Sequence, residues 1–197
     1  MKIIRGIEQN TPEWFDLRCG SLGGYGIRFV MAEGKLIPKT QGGDGKRKAK
    51  SKGYMDTLYK LAGEQLTGKP AKSISLPQFD RGHEYEHKGI EYAEFIRGYD
   101  AEQVTMILSD TPGRHHSPDS IIEDQRGGIE VKTRAPHIFL EFLETEKIPI
   151  ADIRQCQNFL NITSWDWIDY VVYCVPEPKK GDKGWIKRIY PDPVMIR

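Results

Sequence analysis

No apolar run in the sequence approaches the length a membrane-spanning helix needs, which argues against a membrane protein. Cysteine is scarce. Cys19, Cys156 and Cys174 are odd in number, far apart and not in Cys-x-x-Cys spacing, so neither a disulfide framework nor a zinc ribbon is expected, and the three should be free thiols. Met1 to Asn10 lacks the continuous apolar stretch of a secretory signal, and the expectation is a cytoplasmic protein. Charge of one sign is also missing: a formal net charge of +1 gives no overall field that would draw in nucleic acid. What is present is 197 residues with 38% hydrophobic composition, enough for one sizeable core, and the chain reads as a single domain over 1–197.

The distribution of charge says more than its total. Lys35, Lys39, Lys46, Arg47, Lys48, Lys50 and Lys52 stand against one acid, Asp44, giving about 35–53 a local charge of +6 and leaving −5 for everything else. This Gly/Lys-rich stretch reads either as a solvated loop or as a phosphate-contacting arm, and in the second case binding should weaken with salt.

Thr11, Pro12 and Glu13 form a helix start, with a capping hydroxyl, proline at the first helical position and an early acid favouring the dipole. Gly20, Gly23, Gly24 and Gly26 are expected to break that short helix. Apolar residues from Tyr54 to Leu66 recur at helical spacing before Gly68. A further helix is expected from about Asp80 to Arg97, with Asp80 as cap, Gly98 as stop, and Glu86 on the same side as Ile90 and Ala93. A carboxylate on an apolar side needs a metal, a cation or an opening to solvent. Gln103 to Leu108, Ser117 to Ile122 and Gly128 to Thr133 read as an antiparallel meander, followed by helices near 139–146 and 150–160 and strands at 167–175 and 185–190. The fold class is α/β, a central mixed sheet flanked by helices.

Glu130 and Lys132 share one face of a strand while Ile129 and Val131 take the other, and Asp119 on the preceding strand can sit opposite them. A phosphodiester nuclease needs such a set: carboxylates hold divalent cations, the metal lowers the pKa of a bound water, and an ammonium orients that nucleophile. An acid two residues before a lysine occurs five times here, at Glu33, Asp44, Glu86, Glu130 and Glu177, so the triplet alone says little. Glu130/Lys132 is singled out by its alternating strand, its hairpin spacing to Pro118-Asp119, and the inward Glu86 upstream. A surface salt-bridge ladder is the plain alternative.

Thr11-Pro12-Glu13-Trp14, Arg18-x-Gly20, Gly82-x-x-x-Glu86, Ser117-Pro118-Asp119, Gly128-Ile129-Glu130-Val131-Lys132 and Gln155-x-Gln157 follow one another in the order and approximate spacing of the λ-exonuclease/YqaJ family, within the PD-(D/E)-x-K nuclease superfamily. The resemblance covers residues 8 to about 175. It implies a restriction-endonuclease-like core and Mg2+-dependent 5′-to-3′ digestion of one strand of linear double-stranded DNA, with Mn2+ as a substitute ion. It also implies a ring-shaped homotrimer, an accompanying single-strand annealing protein, and a phage or prophage origin in a bacterial host, serving homologous recombination. Carried over by position, Asp119, Glu130, the Val131 carbonyl and Glu86 would serve the metal, Lys132 would position the water, and Gln155 would stand beside them. Arg18, with Ser21, Tyr25, Ser117 and Gln157, would contact DNA or its 5′-phosphate, a role that suits a guanidinium. Two departures stand out: Ser120 replaces a glycine frequent after the Pro-Asp pair, and Tyr25 falls where a small hydroxyl residue is common. Asp110 matches a further family acid only across a one-residue gap.

Other readings stay open. An endonuclease on the same core would use the same metal site, and a DNA end-binding protein could keep the fold without cutting. His83-Glu84-x-x-His87 spells the zinc metalloprotease pattern, although no clear third ligand follows. His115 and His116, beside the candidate strand, read either as solvent-facing polar residues or as phosphate or metal contacts. Trp14, Trp165, Trp167 and Trp185 could stack on bases or fill the core.

Overall fold

The structure, a computed structural model, describes residues 1–32, 40, 50–71 and 77–195, with the side chains of 25 and 77–84 outside the described set. Most of the basic stretch at 35–53 therefore lies outside the described residues. The chain begins with β1 (Lys2–Ile4), α1 (Pro12–Arg18), α2 (Gly24–Val30), α3 (Lys52–Thr67) and α4 (Pro77–Arg97). Three short strands follow, β2 (Met106–Leu108), β3 (His115–His116) and β4 (Ser120–Ile122), and then the long β5 (Gly127–Arg134). Two helices, α5 (Pro136–Thr145) and α6 (Ile150–Thr163), lead to β6 (Trp167–Cys174) and β7 (Gly184–Ile189).

Local chemistry sets several of these boundaries. The Thr11 hydroxyl accepts the Trp14 N–H and Pro12 opens α1, as expected. Ser51 caps α3 through the Tyr54 N–H, and α3 stops at Gly68 in the left-handed region with φ 64°. The helix expected from Asp80 starts three residues earlier, at Pro77, so Asp80 lies inside α4 rather than at its cap.

Two expectations are corrected. The glycines after α1 do not only break structure, since Gly24 and Gly26 lie within α2, where tertiary contact outweighs their low helix propensity. The three β-rich runs do not form one meander: β2 joins β1 and β3 in a three-stranded antiparallel sheet, while β4 and β5 belong to a second sheet. That second sheet has the order β4-β5-β6-β7, with β5 and β6 parallel and the outer pairs antiparallel. It is the mixed central sheet of the expected α/β class.

Alternation along β5 divides the core. Ile129 and Val131 join Ile90 and Ala93 of α4 in one apolar cluster, where Gly89 admits Val131 so closely that a Cβ there would lie 2.4 Å from Val131 Cγ1. The opposite face meets α5 and α6 around Phe139, Phe159, Leu160 and Tyr170. Trp14, Trp165 and Trp167 are buried and Trp185 packs against the core, so these rings serve packing rather than base stacking. All three cysteines are free. Among the described residues no helix is long and apolar enough to cross a membrane.

Candidate active site

The β4–β5 hairpin ends before β5 does. Pairing of these strands begins at Ser120↔Ile129, so the Val131 N–H faces the β4 edge without a strand partner. The Asp119 carboxylate fills that place, accepting the Val131 N–H at 2.5 Å, while the Asp119 N–H donates to the Ile129 carbonyl at 3.2 Å. A side chain thus continues the ladder where the strand has turned away.

On the face of β5 toward α6, Glu130 is almost fully buried at 1% exposure. Its Oε1 accepts from Lys132 Nζ and, at 2.6 Å, from Gln155 Nε2 of α6. Its Oε2 is buried without a hydrogen-bond partner among the described residues and stands 3.8 Å from His116 Nε2, which is buried and unpartnered in the same sense. The Gln155 contact follows from α6 crossing this face with Gln155 one turn before Phe159.

The charges here are strongly interdependent. Burial, followed by the charges of Glu130 and Glu86, pushes the Asp119 carboxyl well above the usual range, against the pull of Lys132 and the Val131 N–H. Burial also opposes ionisation of Glu130, but Lys132 and His116 outweigh it and hold Glu130 below its ordinary value. Burial works against the Lys132 ammonium too, and Glu130 and Asp119 overcome it, so Lys132 is raised. Glu86, half-buried on α4, brings its charge to Asp119 as its helical phase with Ile90 and Ala93 suggests.

A second group of polar side chains adjoins the first. Arg18, at the end of α1, lies over the Trp14 ring at 3.9 Å and donates from Nε to His115 Nε2 at 3.1 Å. Ser21 Oγ lies 2.8 Å from His115 Nδ1. The chain at Gly23 and Gly24 approaches the two histidines so tightly that a Cβ would fall 2.3 Å from His115 Nε2 or 2.8 Å from His116 Cε1. Burial lowers the Arg18 pKa, and burial, Arg18 and His116 together push His115 down to about 3.

The structure therefore gathers Asp119, Glu130, Lys132, Glu86 and Gln155 into one group, with Arg18 and Ser21 in the adjoining one. Ser117 directly precedes the Pro118-Asp119 pair, its hydroxyl buried and without a partner among the described residues. Tyr25 is in the first turn of α2, with its side chain outside the described set. Gln157 is not brought to the site: it is buried, its Nε2 donates to the Tyr190 carbonyl and its Oε1 accepts the Asp192 N–H, both at 2.8 Å. Neighbouring residues on a helix face different ways, and Gln157 falls on the side that anchors the chain after β7. Asp110 is exposed and pairs with the N-terminal amine at 2.7 Å. Of the His-Glu-x-x-His pattern, His83 and Glu84 have side chains outside the described set, and His87 is exposed.

His115 and His116 admit two readings in the sequence, and Arg114 and Asn158 are not among its candidate site residues. The histidines are buried, at 2% and 0% exposure, rather than solvent-facing. Asn158 lies one helical step of three beyond Gln155, so it shares the site-facing side of α6, a signal present in the sequence.

Neither the protein-family models nor the curated proteins compared with the chain give a match. Solved structures do. An alkaline exonuclease, LHK-Exo, from Laribacter hongkongensis superposes with a TM-score of 0.75 at 24% identity, covering 94% of this chain and 85% of that one. Its complex with dAMP gives the same TM-score and coverage at 25% identity. A phage-related exonuclease from Haemophilus somnus 129PT superposes with a TM-score of 0.61 at 13% identity, covering 92% of this chain and 89% of that one. The chain shares the fold of these exonucleases, in keeping with the resemblance of its motif order to the λ-exonuclease/YqaJ family.

Proposed function

We propose that the protein is a metal-dependent DNA exonuclease that digests linear double-stranded DNA from the 5′ end, in the service of phage-type recombination. The observation that carries this reading is the Asp119–Val131 hydrogen bond. It sets a carboxylate at the edge of β5 beside Glu130 and Lys132, the set a phosphodiester nuclease needs. Exonuclease rather than endonuclease is favoured by the fold neighbours, one of which binds dAMP, a deoxynucleotide, and by the Arg18 group beside the carboxylates.

The donor set fits a hard divalent cation. Asp119 and Glu130 repel each other, and Glu130 Oε2 is buried without a partner among the described residues. The Val131 carbonyl shares the β4-facing edge of β5 with its N–H. Among the described residues no three His, Cys, Asp or Glu side chains gather closely enough to hold an ion by themselves. Mg2+ does not need them, since it takes one or two carboxylates and keeps several waters. Asp119, Glu130 and the Val131 carbonyl would hold it, with Glu86 in support. When bound, the ion supplies Lewis-acid polarisation of the phosphate and a more acidic water.

The chain's own groups do the rest. Lys132 Nζ, held at Glu130 Oε1, is an ammonium placed to orient the attacking water and to offset charge growing on the phosphate. Gln155 fixes the same oxygen from α6, so Glu130 is held from two sides. Arg18 gives its Nε to His115, and its terminal nitrogens remain to grip a 5′-phosphate in bidentate fashion. Assembly as a homotrimer and a single-strand annealing partner are part of the same proposal.

Linear duplex labelled at either end tests it, with a closed circle as control. Stepwise loss of the 5′-phosphorylated strand with Mg2+, and no cutting of the circle, is the expected result. Cutting of the circle would favour an endonuclease, and loss of the 3′ strand would reverse the polarity.

A further inference from the structure

The strand His115–His116 carries two adjacent imidazoles whose surroundings fix their protons in opposite ways. Arg18 Nε has one hydrogen and can only donate, and it points at His115 Nε2 at 3.1 Å. That nitrogen must hold a lone pair. His115 is therefore neutral with its proton on Nδ1, from which it donates to Ser21 Oγ at 2.8 Å.

For His116 the deciding residue is Asn158. Its Oδ1 accepts from Arg114 Nη2 at 3.2 Å, and its Nδ2 donates to the His115 carbonyl at 3.3 Å. Arg114 can only donate and a carbonyl can only accept, so the amide's orientation is settled. The same Nδ2 lies 3.1 Å from His116 Nδ1, which must accept, and the His116 proton sits on Nε2. That N–H faces Glu130 Oε2 across 3.8 Å, and both atoms are buried and otherwise unpartnered among the described residues. Closing by somewhat less than an ångström makes the hydrogen bond, and a gap this narrow leaves no room for a water between them.

We infer that His115 and His116 are positioning residues held in opposite neutral tautomers, His115 ordering Arg18 and Ser21 as Nδ1–H and His116 presenting its Nε2–H to Glu130. The inference rests on the proposed exonuclease reading for what these groups serve. One dipeptide then supports both the phosphate-facing arginine and the metal-facing carboxylate, so the scissile strand's end and the cleavage centre keep a fixed spacing. Its tautomer also makes His116 a donor to the carboxylate, not itself a ligand.

The tautomers are read directly from long-range 1H–15N correlation spectra of the imidazoles in the intact protein, with no reference to nuclease activity. The expected pattern is Nδ1–H for His115 and Nε2–H for His116, with Asn158→Asp moving the His116 proton to Nδ1 because a carboxylate there can only accept. A shared tautomer would overturn the assignment. Kinetics then separate the roles. His116→Leu should lower kcat about 10- to 100-fold with little change in KM, and His116→Gln, whose amide offers a similar donor, should recover most of it. His115→Leu should instead raise KM for 5′-phosphorylated ends about tenfold while kcat holds. Unchanged kcat in a folded His116→Leu protein would remove the positioning role. If the wild-type protein cuts no DNA, the exonuclease reading fails while the spectra still decide the tautomers.

Discussion

Asp119 accepts the Val131 N–H at 2.5 Å, so the carboxylate that opens the site is also the last rung of the β4–β5 ladder. Structure and chemistry share that atom pair. The arrangement holds two acids together inside the protein against their mutual repulsion, which is favourable only for what the site does.

That repulsion has a measurable sign. The folded protein holds the Asp119 proton more tightly than the unfolded chain, so this group adds stability as pH falls and subtracts it as pH rises through its elevated pKa. Asp119→Asn keeps an acceptor for Val131 and removes the charge. Its melting temperature near neutral pH is expected to rise by about 2–5 °C, while cleavage falls at least about a hundredfold. A calorimetric melt beside an activity assay checks both, and a lower melting temperature would show that the carboxylate charge stabilises the fold.

Metal binding should report on the same pair. Mg2+ or Mn2+ at saturating concentration is expected to raise the wild-type melting temperature by several degrees, since an ion that binds only the folded state stabilises it. In Glu130→Gln the increment should be nearly lost. An equal rise in both proteins would move the ion elsewhere.

His115 gives a second pH signature, of the opposite kind. Its folded pKa is about 3 against an ordinary 6.5, so below pH 6.5 the unfolded chain takes up a proton that the folded one refuses. The stability this residue contributes is complete above about 6.5 and is lost as pH falls toward 3. The full effect is on the order of 3–5 kcal/mol. Denaturant melts across this range should show a shallower pH dependence in His115→Asn than in the wild type.

Packing beneath the site offers a mechanical test. A Cβ at Gly89 would lie 2.4 Å from Val131 Cγ1, on the strand that carries Glu130 and Lys132. Gly89→Ala should push α4 from β5, destabilise by about 1–3 kcal/mol, and slow cleavage by displacing Glu86. Chemical denaturation and a turnover assay give the two readings.

The carboxylates and the lysine were legible in the sequence because alternation in a strand and phase in a helix are local rules. Ile129 and Val131 assign Glu130 and Lys132 to the other face without any tertiary knowledge, and Ile90 and Ala93 orient Glu86 in the same way. The helix at Gly24–Val30 was not legible, since the glycines at 20, 23, 24 and 26 argue against a helix locally, and the reason for Gly23 and Gly24, the rings of His115 and His116, lies about 90 residues away. Strand pairing failed for a similar reason: β2 and β4 carry comparable apolar runs, and nothing local says that β1 and β3 flank the first. Gln157 shares a motif with Gln155, but two residues on a helix differ by most of a half-turn, and only the fold shows that Tyr190 and Asp192 take it.

Nucleotide release from linear duplex DNA in Mg2+, by the wild type and by Lys132→Ala, both shown to be folded, tests the proposed active site most directly. The wild type should release acid-soluble nucleotides, and Lys132→Ala should be slower by at least about a hundredfold. Equal release by the two proteins would contradict the assignment of this cluster as the active site.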